Sequence, residues 1–209
     1  MNVQTPNSAT TGRAAADGPA TDTFSILTVC TGNICRSPAV ERLLRSALGP
    51  ASGVEVTSAG TGPIYGEPIH EPMAALLRDL GVDTTGFTSR LITERMIGRA
   101  DLVLTLTREH RARVVELVPA AVRRVFTLRE LARLAEQVDP ADLDPTASPA
   151  ARLRALVPLA ARYRQQVPAE LDDVVDPFRQ PPEVFQRALD QIRPAVATIA
   201  NLALGRPAA

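Results

Sequence analysis

The sequence predicts an α/β protein, a parallel sheet wrapped by helices, and three observations carry that expectation. Short apolar runs with β-branched character alternate with amphipathic stretches at helical spacing, the rhythm of strand–helix–strand units. Turn chemistry closes the segments, with Gly32 after the first run, Gly49-Pro50 after the helix that follows and Gly81 after the next. A chain of 209 residues, 45% hydrophobic and 22% charged, can bury a substantial core under a polar surface.

Taken in order, Phe24–Cys30 reads as a buried strand between a polar leader and Gly32. Residues 37–48 follow as a helix with Ala39, Leu43, Leu44 and Leu48 on one face, and residues 54–59 as a second strand. Residues 71–80 carry Met73, Leu76, Leu77 and Leu80 at helical spacing, and residues 91–97 look helical. The run DLVLTL at 101–106 predicts a third buried strand and residues 108–117 a helix. Residues 124–127 predict the fourth strand, and 128 to about 137 its helix.

Residues 138–175 break the rhythm: they are rich in Pro, Asp and Ala around one helical stretch at 150–165, and read as an insertion packed on or near the domain. Residues 183–204 predict a long closing helix with Val184, Ala188, Ile192, Val196 and Ile199 roughly in line. The expected organisation is a small, polar, disordered tail over 1–23 and one domain over 24–209.

Formal net charge is zero without blocks of like charge, so neither a nucleic-acid nor a membrane-surface footprint is expected. The basic residues are all arginine, which we read as coding bias together with the alanine-rich helices. Two cysteines cannot build a disulfide framework and fit a reducing compartment. No run approaches bilayer length, and the first 23 residues lack the apolar centre of a signal peptide. The expected location is the cytoplasm.

Both cysteines fall in one stretch, CTGNICRSP, at residues 30–38. In an open α/β sheet, ligands bind beyond the carboxyl ends of the strands, which makes the first strand-to-helix loop privileged. Thr31, Gly32, Asn33, Ile34 and Cys35 leave Cys30 and lead to Arg36-Ser37 at a helix start. Small residues let backbone N–H groups converge, and the helix adds the positive end of its dipole, making a phosphate-sized anion site. A thiol in that field, beside an arginine, has its thiolate favoured. Arg36 can hold two phosphoryl oxygens with its planar fork, and the Ser37 hydroxyl can donate to the sulfur.

Plainer readings compete. Arginine is so abundant that the Cys30/Arg36 spacing alone is weak evidence, and the strand–loop–helix context carries the argument. Zinc would need Cys30, Cys35, His70 and His110 at no recognised spacing, so no metal and no cofactor is expected. His70 and His110 read as surface or helix-end residues.

The string CTGNICRSP resembles the phosphate loop of the low molecular weight protein tyrosine phosphatases. Thr57-Ser58-Ala59-Gly60-Thr61 is similar to that family's second-strand motif, and Asp176-Pro177-Phe178 to its general-acid loop. The resemblance covers roughly residues 25–135 and 170 onward. It implies a flavodoxin-like sheet of four parallel strands in the order 2-1-3-4. It also implies hydrolysis of protein phosphotyrosine through a phosphocysteine on Cys30, with Arg36 stabilising charge and Asp176 as acid, then base. Residues 31–37 would bind phosphate, with Asn33 and Ser58 behind the loop and Tyr65 and Phe178 at the rim. On the residues alone, Asp172 and Asp173 compete with Asp176.

Where the family often has an aromatic rim residue, this chain has Ile64 followed by Tyr65, and Phe87 replaces a histidine ahead of Ser89-Arg90. Cys35 has two readings, a reversible disulfide partner guarding Cys30 or simple packing. Three rival functions remain at this level. An arsenate reductase using a low-molecular-weight thiol would need only one cysteine, a phosphoarginine phosphatase resembles this loop with threonine in place of Ile34, and a phosphate-binding module would lack turnover. The stretch 176–179 with Glu183 and Phe185 resembles the bacterial branch, whose members often oppose autophosphorylating tyrosine kinases of polysaccharide export.

Overall fold

A computed structural model of the protein describes residues 23–164 and 167–207; all of the expected tail but Thr23 lies outside the described residues. Four strands, β1 (Phe24–Cys30), β2 (Val54–Gly60), β3 (Leu102–Thr105) and β4 (Val125–Thr127), form one parallel sheet in the order β2-β1-β3-β4. β1 pairs along its whole length with β2, from Phe24 opposite Val54 to Cys30 opposite Gly60, and on its other side with β3. The chain leaves β1 for β2 on one side and later returns on the other. The carboxyl end of β1, at Cys30, therefore opens onto a crevice between connections that diverge.

The helices are α1 (Arg36–Leu48), α2 (Glu71–Asp79), α3 (Glu94–Arg99), α4 (Arg108–Leu117), α5 (Leu128–Ala135), α6 (Pro149–Ala161), α7 (Ala169–Asp172) and α8 (Pro182–Ala203). Alternate strand residues point to opposite faces, so each strand feeds two cores. Ile26, Leu102 and Leu104 join the larger one with Leu44 of α1, Leu131 of α5, Leu153 of α6 and Ile192 of α8. Leu27, Val29 and Val103 join the smaller one, closed by Ile97 of α3 and Val114 of α4.

Two elements differ from the sequence reading. The helix expected at 91–97 begins at Glu94 because the Thr93 side chain accepts the Met96 N–H and caps it, while Leu91 stays extended in a lone parallel bridge to Gly60. The helix expected at 150–165 ends at Ala161. Its apolar residues Ala150, Leu153, Leu156 and Ala160 belong to the larger core.

A buried carboxylate ties β4, α4 and the segment after α6 together. Thr127 caps α5 in a reciprocal box with Glu130, whose Oε2 accepts the Thr127 N–H at 3.1 Å. Glu130 is 4% exposed and also receives Arg111 at 2.9 Å and Arg164 at 3.3 Å. Arg164 lies 3.9 Å above the Phe126 ring and donates to the carbonyls of Val122 and Val125. Removing this carboxylate strands two guanidinium groups near the core. Glu130→Ala is expected to lower the unfolding free energy by about 3–5 kcal/mol in urea denaturation.

Candidate active site

Cys30 ends β1 and Arg36 opens α1, so the loop between them spans the carboxyl edge of the central strand. Asn33 makes the turn possible by adopting φ 52°, a left-handed conformation that asparagine tolerates better than most residues. Its side chain is fully buried and extensively bonded. Asn33 Nδ2 donates to Ser37 Oγ at 3.0 Å and Ser58 Oγ at 2.9 Å, and Oδ1 accepts the Arg90 N–H at 2.9 Å.

That arrangement sets the direction of every hydroxyl proton behind the loop. Ser58 donates to the buried Glu41 Oε2 at 2.6 Å, so it can accept from Asn33. Ser37 accepts the other Asn33 proton, which leaves its own hydroxyl to donate to Cys30 Sγ, 3.0 Å away. The sulfur thus has a hydroxyl donor fixed upon it. At Cys35, burial first, then the nearby Cys30 and Asp176 charges against Arg36, push the thiol up to about 12. Cys35 is thus a neutral thiol beside Cys30, and both cysteines are free.

The second-strand motif has a steric role. At Gly60 an added Cβ would lie 2.4 Å from the Thr31 carbonyl oxygen and 3.0 Å from Asn33 Cβ. Only glycine lets the strand pass so close to the loop, and the next residues grip it: Thr61 N–H donates to Cys30 O and Gly62 N–H to Thr31 O. α1 has neither a side-chain cap nor an acidic residue in its first turn, leaving its amino end favourable to an anion.

Arg36 is 4% exposed and reaches Asp176, its Nη2 2.7 Å from Oδ2, while Nη1 donates to the Val174 carbonyl at 3.3 Å. Cys30, Thr31, Gly32, Ile34, Cys35, Arg36, Asp176 and Phe178 line one cavity of about 130 Å³ with Gly62 and Ile64. Asp176 is half exposed and faces the mouth. Phe178 meets the edge of His70 at 5.9 Å, and His70 stacks on Phe185 at 5.6 Å.

Most expected residues therefore converge: the loop, Arg36, Asp176 and Phe178 line the cavity, while Ser37 and Ser58 support it from behind. Tyr65 does not. It is 67% exposed and outside the lining, and Ile64, whose carbonyl accepts the Ser89 hydroxyl, lines the cavity instead. His70 caps α2, a helix end as expected, yet its N–H also holds Ile34 O at 2.8 Å.

His110 stands in the first turn of α4, so the helix-end reading holds and the surface reading does not. It is 6% exposed, not a surface residue, and its ring links Thr31 Oγ1 at Nε2 to Thr107 Oγ1 at Nδ1, both at 2.8 Å. Burial first, and then the Arg36 charge, lowers its pKa to about 4, so the ring is neutral at physiological pH. The available signal was position, since the residue lies just beyond the carboxyl end of β3, on the ligand edge of the sheet. Glu41 carried no signal, because on type alone it reads as an exposed helix residue.

Two variants test this frame. Gly60→Ala forces the loop carbonyl away and is expected to lower both melting temperature and turnover, seen by thermal scan and aryl phosphate assay. His110 binds its proton more readily when unfolded, so stability should fall as pH drops from 6.5 towards 4. Its contribution of about 2–3 kcal/mol should vanish in His110→Gln, measured by urea denaturation across that range.

Comparison with known proteins places relatives around this geometry. Residues 25–157 match the family model described as low molecular weight phosphotyrosine protein phosphatase. A probable low molecular weight protein-tyrosine-phosphatase EpsP from Ralstonia nicotianae is 36% identical over 118 residues, covering 56% of this chain and 77% of that protein. The low molecular weight protein-tyrosine-phosphatase Etp of Escherichia coli K12 is 43% identical over 95 residues, 46% of this chain and 62% of its own length. A protein-arginine-phosphatase from Geobacillus stearothermophilus is 29% identical over 178 residues, covering 85% of this chain and 95% of that one. The solved YwlE arginine phosphatase of that organism superposes with TM-score 0.63 at 27% identity, covering 85% of this chain and 91% of the other.

Proposed function

This chain belongs to the low molecular weight phosphotyrosine protein phosphatase family, a cysteine-dependent group of hydrolases, and from that premise we propose that Cys30, Arg36 and Asp176 hydrolyse phosphotyrosine in a protein substrate. The observation that carries the assignment of roles is convergence: a sulfur, a buried guanidinium and an exposed carboxylate border one cavity. Residues from β1, α1 and a segment more than a hundred positions further on meet there.

The chemistry follows from that placement. The phosphate dianion enters over the amino end of α1, and its equatorial oxygens take the Arg36 fork. Asp176, displaced from Arg36, then faces the leaving oxygen. Cys30 sulfur attacks phosphorus as the P–O bond to the phenol breaks, and Asp176 passes its proton to that oxygen. Water next attacks the phosphocysteine with Asp176 taking its proton, and the P–S bond breaks to give inorganic phosphate and the thiolate. Loop N–H groups and Arg36 bear the charge that develops on the phosphoryl oxygens.

The arginine phosphatase relative supports a second reading, hydrolysis of phosphoarginine. Ile34 weighs against it, since its buried aliphatic side chain lines the cavity and suits an aromatic ring better than a guanidinium. The resemblance of residues 176–179, with Glu183 and Phe185, to the bacterial branch supports a protein substrate of the polysaccharide-export tyrosine kinase type.

Cys30→Ser is expected to abolish turnover of aryl phosphates, and Asp176→Ala to lower kcat by roughly 10²–10⁴. Steady-state assays with phosphotyrosine, phosphoarginine and arsenate decide among the readings. Faster release from phosphoarginine, or thiol-dependent arsenate reduction, would displace the phosphotyrosine assignment.

A further inference from the structure

We infer that Asp172, gripped by Arg108 and Arg133, is the anchor of a clamp, completed by Arg129 on the neighbouring carbonyls, that positions Asp176; the inference rests on the acid role proposed for Asp176. Asp172 ends α7 and is 3% exposed. Arg108 at the start of α4 places Nε and Nη2 at 2.9 and 2.7 Å from its Oδ2, and Arg133 of α5 places Nη2 3.1 Å from Oδ1. Both oxygens of a buried carboxylate are thus engaged by forks from two different helices.

Further ties run along the same strand of chain towards the acid. Arg129, one turn before Arg133, donates Nη1 to the carbonyls of Glu170 and Asp173 at 2.6 and 2.8 Å. The Arg108 N–H donates to Asp173 Oδ1 at 2.8 Å. Val174 N–H then bonds Leu106 O, one residue beyond β3, at 2.8 Å, and Val175 N–H bonds Gln191 Oε1 of α8 at 2.9 Å. Every residue from Asp172 to Val175 is tied to α4, α5, α8 or the end of β3. Asp176 follows directly.

The distribution of these ties separates positioning from plain support. Bonds that served only to hold the inserted segment would concentrate on α6, its apolar centre. α6 does have ties, from Arg152 to the Leu202 carbonyl and from Arg154 to the Thr23 carbonyl, but a separate set falls on the residues that lead into the acid. The need is physical, because an acid carried at the end of a long irregular segment loses efficiency when it is misplaced by even an ångström. Asp172 borders neither the sulfur nor the cavity beside it, so it is a positioning residue.

The test uses the full chain with Arg129→Ala, Arg129→Lys and Asp172→Asn. Arg129 is only half buried and its bonds here go to backbone carbonyls, so its variants remain informative if Asp172→Asn fails to fold. The readout is kcat/KM for phenyl phosphate, whose leaving group needs a proton, against p-nitrophenyl phosphate, whose leaving group does not. Arg129→Ala should lose about tenfold or more on the first and less than about threefold on the second, with partial recovery in Arg129→Lys. Amide exchange at Val174 and Val175 should quicken while the sheet amides keep their protection. Equal losses on both substrates, or no loss on either, overturn the clamp as a positioning device. If the wild type hydrolyses neither substrate, the phosphatase roles fall; unchanged exchange at Val174 and Val175 in Arg129→Ala would overturn the clamp independently.

Discussion

Asn33 turns the chain through the left-handed region with its carboxamide sealed inside the protein, and the bonds it makes there organise everything around them. One donor goes to Ser37, the other to Ser58, and the acceptor takes the Arg90 N–H. A buried amide left short of partners is costly, so the loop has one stable shape only when all these elements are in register. Glu41 terminates the chain of donors, and the last free proton in it falls on the Cys30 sulfur. The reactivity expected of Cys30 is thus a consequence of packing among α1, β1 and β2, several residues away from the thiol.

Charge is arranged around the same point with little waste. Arg36 is buried, yet its fork serves both the Val174 carbonyl and the Asp176 carboxylate. In the proposed mechanism a substrate phosphate would compete for that fork, so its binding and the release of Asp176 would be linked by one guanidinium. His110 braces Thr31 from the first turn of α4 as a neutral ring, adding a hydrogen bond to the loop without adding charge beside Arg36. On the far side, buried carboxylates at Asp172 and Glu130 collect arginines from helices that the sheet holds apart. A planar arginine fork holds a carboxylate or a pair of carbonyls in a fixed direction.

Much of the site was legible because its motifs are local. Cys30 to Ser37 lie on consecutive residues, and the strand before and helix after them follow from apolar spacing. Gly60 could be flagged as part of a motif, though its reason, the close pass of the Thr31 carbonyl, is visible only in three dimensions. Tyr65 looked like the better rim residue by chemistry, but Ile64 is the one that lines the cavity. His110 looked peripheral because nothing in its own helix reveals what faces it across β1.

The sequence by itself determined the order and type of the elements, the parallel sheet they imply, and the loop chemistry centred on Cys30 and Arg36, because period, turn residues and contiguous motifs are local properties. The Asp176-Pro177-Phe178 resemblance singled out Asp176 in advance, but only the tertiary structure shows what keeps Asp172 and Asp173 from the cavity that Asp176 lines. Asp172 is drawn under the arginines of α4 and α5, Asp173 caps the start of α4, and Asp176 is left at the mouth. Three neighbouring carboxylates of nearly the same chemistry are sorted by contacts from elements some forty to a hundred and forty residues away, and no local pattern encodes those.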